Sequence, residues 1–77
     1  MITGFVLIIT DAGKEHSVYA ELNSIKEVDS AYPLFGEYDI IVKVHGADHV
    51  AIGMTVVDKI RTIPGVADTK TLTSIIL

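Results

Sequence analysis

Hydrophobic and polar positions change period along this chain, and each change marks an element. Residues 3–10, Thr-Gly-Phe-Val-Leu-Ile-Ile-Thr, are β-branched and apolar on both parities, as in a central strand covered on both faces. Asp11-Ala12-Gly13 breaks that run and offers a helix N-cap. Over residues 14–25 the period lengthens. Val18, Leu22 and Ile25 recur at helical spacing, with Lys14, Glu15, Glu21 and Lys26 elsewhere. Val28 to Phe35 predicts a second strand, and Pro33, with no N–H to give to a ladder, places it at a sheet edge. Gly36-Glu37 predicts a hairpin turn with a positive φ at Gly36. Tyr38 to His45 alternates again, with Ile40, Val42 and Val44 on one face and Ile41, Lys43 and His45 on the other. Gly46-Ala47-Asp48 ends it, Asp48 being placed to cap a second helix over residues 49–62. Pro64-Gly65 stops that helix, and Val66 to Leu77 predicts the last strand.

A weak internal repeat supports this order. A shift of roughly 38 residues pairs Val18 with Val56, Leu22 with Ile60, Ile25 with Ile63, Val28 with Val66 and Leu34 with Leu72. Each half is strand, helix, strand. Two right-handed crossovers of this kind interleave into an α+β, ferredoxin-like β-α-β-β-α-β sandwich, with strands 1 and 3 central and strands 2 and 4 at the edges. Nothing reads as a linker, so residues 1–77 form one domain.

Two helices cover only one face of such a sheet. The first strand nevertheless carries Phe5, Leu7 and Ile9 on one parity and Val6 and Ile8 on the other. The open face needs another sheet over it. Helix 2 carries a similar surplus: at about 100° per residue its apolar positions, Val50 to Ile60, sweep roughly 200° of arc. Hydrophobic residues make up 49% of the chain, high for a small monomer, and the absence of cysteine leaves association as the available staple. A homo-oligomer is expected.

Charge and motifs then narrow the chemistry. The net charge is −4 and the six Lys and Arg are scattered singly, so no surface tracks phosphates and no direct nucleic-acid partner is expected. The apolar run Phe5 to Ile9 is far too short to span a membrane, and no basic leader precedes it, which makes the cytoplasm the expected compartment. His45 and His49 are four apart, but Gly46-Ala47 intervenes and no carboxylate-rich cluster completes a metal site. Thr10-Asp11-Ala12-Gly13-Lys14 lacks the flanking glycine and the ending of a phosphate loop. Ser17, Ser24, Ser30 and Ser74 have no activating context, so no catalytic residue and no cofactor is assigned. Asp39 is the informative acid. It stands at the start of an apolar central strand, as a turn residue bonding its own backbone or as a carboxylate aimed at a ligand ammonium. Thr69, Thr71 and Thr73 form a hydroxyl row on strand 4 that could bond a small polar ligand, although the β-propensity and solubility of an edge strand are the more ordinary reason for it.

The hairpin Gly-Glu-Tyr-Asp-Ile (36–40), then Ile-Pro-Gly-Val (63–66) and Thr69-x-Thr71, together with the Gly-Lys-Glu opening of helix 1, resemble the effector domain of the Lrp/AsnC regulators. That domain is also called the regulation-of-amino-acid-metabolism (RAM) domain. The resemblance covers essentially the whole chain. It implies a ferredoxin-like dimer with sheets packed together, dimers that join into octameric rings, and amino acids bound between dimers near the hairpin. It further implies Gly36, Tyr38 and Asp39 as ligand contacts, followed by Thr69 and Thr71. Full-length members of that family carry an N-terminal helix-turn-helix, whereas here Met1 leads directly into strand 1. The expected role is therefore a stand-alone amino-acid sensor in transcription regulation, or the partner of a full-length Lrp/AsnC regulator. Two rivals remain open at this stage: a small enzyme similar to dimeric ferredoxin-like monooxygenases, and an ACT-like interaction module.

Because the open sheet face and the surplus arc of helix 2 are both apolar, the chain is expected to be at least a dimer at micromolar concentration. Light scattering tests this directly: a clean monomer mass of 8.3 kDa would sink the idea.

Overall fold

The molecule, a computed structural model in which all 77 residues are described, runs in the expected order. Its elements are β1 (Ile2–Thr10), α1 (Glu15–Asn23), β2 (Val28–Pro33), β3 (Ile40–Gly46), α2 (His49–Thr55) and β4 (Val66–Thr73), with a π-helical turn over Val56–Ile60 extending α2. The strands form one antiparallel sheet in the order β2-β3-β1-β4. The expected centre and edges are therefore correct, and Pro33 closes an edge strand where no neighbour needs its N–H.

Register explains which side chains are buried. Val6 lies opposite Val42 and Ile8 opposite Ile40. These four, with Val44, face the helices and are essentially sealed from solvent. Val18 and Leu22 of α1 and Ile52, Val56 and Ile60 of the second helical segment close the core above them. The repeat pairs Val18/Val56 and Leu22/Ile60 thus occupy corresponding places in one core. The opposite face is open. Phe5, Tyr32 and Leu72 are exposed there, and Leu7, Ile9 and Ile41 are half-buried.

Several boundaries differ from expectation, each for a local reason. Asp11 does not cap α1; Lys14 takes the N-cap position without a side-chain bond, and the Asp11 carbonyl instead accepts from the Lys14 N–H at 3.0 Å. Asp48 does cap α2, accepting from the Ala51 N–H at 2.8 Å. The second helix is not uniform, since after Thr55 it widens into the π-helical turn and delivers Ile60 to the core. The last strand stops at Thr73 and not at Leu77, because Thr73 already faces Gly4 and little of β1 lies beyond. The Ser74 N–H makes a final bond to the Thr3 carbonyl at 2.9 Å, after which Ile75 to Leu77 are exposed.

Gly65 closes the second crossover. Its φ is +102°, and its carbonyl accepts from the Asp11 N–H at 2.8 Å. A Cβ there would stand 2.7 Å from the Lys14 Cβ and 3.0 Å from a Val18 methyl. Gly65→Ala is therefore expected to destabilise the fold by about 1–3 kcal/mol through strain and overlap. A urea midpoint unchanged from wild type would show that the junction yields freely.

Candidate ligand site

The loop between β2 and β3 is longer than a two-residue turn. Pairing stops at Pro33 opposite Ile40, so residues 34–39 all lie outside the ladder and Gly36-Glu37 is not a tight hairpin turn. Asp39 accounts for this. Its N–H donates to the Ile8 carbonyl at 2.9 Å, and its own carbonyl accepts from the Leu34 N–H at 2.8 Å. Its backbone is thus committed to β1 and to the loop's other end before β3 begins. Gly36 has φ +152° in open space, the positive value expected of it.

The Asp39 side chain bonds neither its own loop nor a charged group. Oδ2 accepts from the Thr10 N–H at 2.8 Å and from the Thr10 hydroxyl at 3.2 Å. The carboxylate extends the β1–β3 ladder past the point where the β3 backbone ends, and Thr10 is buried under it. Oδ1 has no partner within the chain. One oxygen is structural and the other is free.

Asp39 also lines a cavity of about 350 Å³, near the lower end of the roughly 300–1,000 Å³ of small-molecule sites. Glu15, His16 and Tyr19 of α1 form one wall, and Pro33, Asp39 and Ile40 form the other. Of the five residues proposed from sequence, only Asp39 lines it. Gly36 and the half-buried Tyr38 share its loop. Thr69 and Thr71 lie on β4 opposite Ile8 and Val6, so β1 separates them from β3. Within one chain that is roughly 10 Å, two strand spacings. The chain alone does not assemble all five. Glu15, His16 and Tyr19 escaped the sequence reading. Glu15 and His16 lie on the exposed side of α1 and Tyr19 packs at the margin of the core, and no local signal said which loop they would meet.

A second cavity, about 370 Å³, lies at the other end of the sheet among Glu27, His45, Ala51, Met54, Asp58 and Lys59. Its charges are largely spent on one another. Lys59 Nζ donates to both Glu27 oxygens at 2.9 Å, and His45 Nδ1 lies 2.6 Å from Asp29 Oδ1. The Lys59 hydrogen bonds hold the Glu27 carboxyl below its ordinary range. The hairpin-side cavity keeps Glu15, His16 and one Asp39 oxygen unpaired, and is the better candidate. No group of three or more metal-ligating side chains converges anywhere in the chain.

Comparison with known proteins fixes the relationship. The family model described as the Lrp/AsnC ligand binding domain matches residues 3–76. The chain belongs to the Lrp/AsnC family. An HTH-type transcriptional regulator of Pyrococcus furiosus is 34% identical over 77 residues, and the regulatory protein AsnC of Escherichia coli is 36% identical over 69. These alignments take 96% and 88% of this chain but only 51% and 45% of the relatives, so the chain spans about half the length of these Lrp/AsnC regulators. Among solved structures, FFRP-DM1 is 40% identical with a TM-score of 0.91, covering 97% of this chain and 100% of that one. E. coli AsnC superposes with a TM-score of 0.90 at 32% identity, over 99% of this chain and 52% of its own. A Neisseria meningitidis regulator in complex with L-Met shares the fold at 22% identity and a TM-score of 0.84. The domain is thus the ligand-binding type found in Lrp/AsnC transcription regulators, on a ferredoxin-like fold. No helix in it is long and apolar enough to cross a membrane.

The geometry generates a stability test. Thr10→Val removes the hydroxyl bond to Asp39 but keeps the shape and the N–H bond. A loss of about 1–2 kcal/mol is expected, with Thr10→Ser close to wild type. Equal urea midpoints for wild type and Thr10→Val would mean that the hydroxyl contributes nothing to the clasp.

Proposed function

We propose that this chain is an effector sensor that binds a free amino acid at the cavity between α1 and the 34–39 loop and works as a homo-oligomer. The carrying observation is Asp39. One oxygen is clamped by Thr10, which fixes the carboxylate in place, and the other is unengaged at a cavity of about 350 Å³. A carboxylate held this way presents a pre-oriented acceptor to a ligand ammonium, so little ordering cost is left for binding.

The ligand's own carboxylate needs N–H or hydroxyl donors. Backbone N–H groups around Gly36 and Tyr38 are one source. The hydroxyls of Thr69 and Thr71 are another, supplied by a second copy, since β1 separates them from Asp39 in the same chain. Oligomerisation would then complete the site. The exposed aliphatic face around Phe5, Tyr32 and Leu72 supports pairing of two sheets, and dimers joining into an octamer would bring hairpins and β4 strands of different pairs together. A Neisseria meningitidis regulator holding L-Met on the same fold is in keeping with this ligand class. The regulatory output would be transcriptional, through the module itself or through a mixed oligomer with a full-length Lrp/AsnC relative, in the cytoplasm.

Asp39→Asn tests the reading. It keeps the shape and an acceptor for Thr10 while removing the charge. Calorimetry across the amino acids is expected to find a wild-type ligand whose affinity falls roughly ten- to a hundredfold in Asp39→Asn, with the oligomer intact. A ligand bound equally well by both proteins would leave the carboxylate with only its structural role. No binding by any amino acid would favour a pure interaction module.

A further inference from the structure

We infer that the α1–loop cavity selects an amino acid bearing a second positive charge, a lysine- or arginine-like molecule, over neutral and acidic ones. This deepens the site proposed above and rests on it.

The argument is a census of charge around the cavity. Its six lining residues include two carboxylates, Glu15 and Asp39, an imidazole and a phenol, and no Lys or Arg. None of the chain's six Lys and Arg is among the lining residues. Lys14, although adjacent to Glu15, packs its Cβ toward Gly65 on the crossover side. Lys59 is held by Glu27. Lys43 and Lys70 lie opposite Phe5 and Leu7 and so project from the sheet face away from the helices. Neither Glu15 nor the free Asp39 oxygen has a basic partner; the chain's two ion pairs are elsewhere.

Two carboxylates and no cation line this one small cavity, so an entering cation is attracted by both acids. A neutral amino acid offers one ammonium, enough for Asp39 but not for Glu15. Its carboxylate must also stay clear of both acids. A basic amino acid offers an ammonium to one carboxylate and its side-chain cation to the other. Tyr19, Pro33 and Ile40 supply the apolar wall along which a methylene stem lies. An acidic amino acid adds a third negative charge and is excluded. The α-carboxylate of a bound basic ligand is left at the mouth, where groups of a second copy can reach it.

The test is calorimetry of the intact chain at low salt with lysine, arginine, leucine, asparagine and glutamate. Lysine or arginine is expected to bind at least about tenfold tighter than leucine or asparagine, with glutamate undetectable. Added salt should narrow the gap. Glu15→Gln should abolish the preference, bringing the basic ligands to the level of the neutral ones, and Asp39→Asn should weaken both classes. Tighter binding of leucine, asparagine or glutamate than of lysine and arginine overturns the inference, as does an undiminished basic preference in Glu15→Gln. If a neutral ligand wins and still depends on Asp39, the amino-acid site stands and only the charge preference falls. If no amino acid binds, both fall together.

Discussion

Strand β1 is hydrogen-bonded on both sides, and most of what the molecule can do follows from that. Between β3 and β4 it has no free edge, and both of its faces carry apolar side chains. Val6 and Ile8 find cover in the helices, whereas Phe5, Leu7 and Ile9 find none within the chain. The same strand anchors the 34–39 loop, because the Ile8 carbonyl and both donors of Thr10 are taken up by Asp39. The core, the uncovered face and the candidate site share this single support.

That common support is why the architecture was readable so early. Strand parity is a local property, and the alternation of Ile40, Val42 and Val44 with Ile41, Lys43 and His45 states which face is inside before any contact is known. The interval between matching helix positions in the two halves likewise survives folding, with Val18 and Leu22 mirrored by Val56 and Ile60. What escaped was decided by contacts between distant segments. The 34–39 loop reads as a tight turn until Asp39 is known to reach Thr10, 29 positions away. The π-helical turn, Val-Val-Asp-Lys-Ile, carries no sequence signal that sets it apart from an ordinary helical turn.

The candidate site shows the same division. Asp39 was identifiable as an acid out of place at the head of an apolar strand, but its two oxygens could not be told apart without the fold. The wall opposite it, Glu15, His16 and Tyr19, looked like the solvated side of an ordinary helix. Its meaning comes from the crossover that sets α1 beside the loop, and from the turn at Gly65 that fixes where α1 begins. Thr69 and Thr71 stand apart from both in a single chain, with β1 between them and the loop.

The pairing of Gly4 with Thr73 has a consequence for how the chain comes into being. β2 is never adjacent to β1, since β3 lies between them, and β1 obtains its second neighbour only from the final stretch of sequence. The first half therefore cannot build a partial sheet of its own while the remainder is being synthesised. Pairing of β1 with β3 closes the loop from Ile8 to Ile40, and pairing with β4 closes the longer one from Thr10 to Val66, and such non-local closures slow folding. Until the C-terminal strand leaves the ribosome, the most aliphatic segment of the molecule stays unsatisfied along one edge, and nascent chains on neighbouring ribosomes offer it a competing edge.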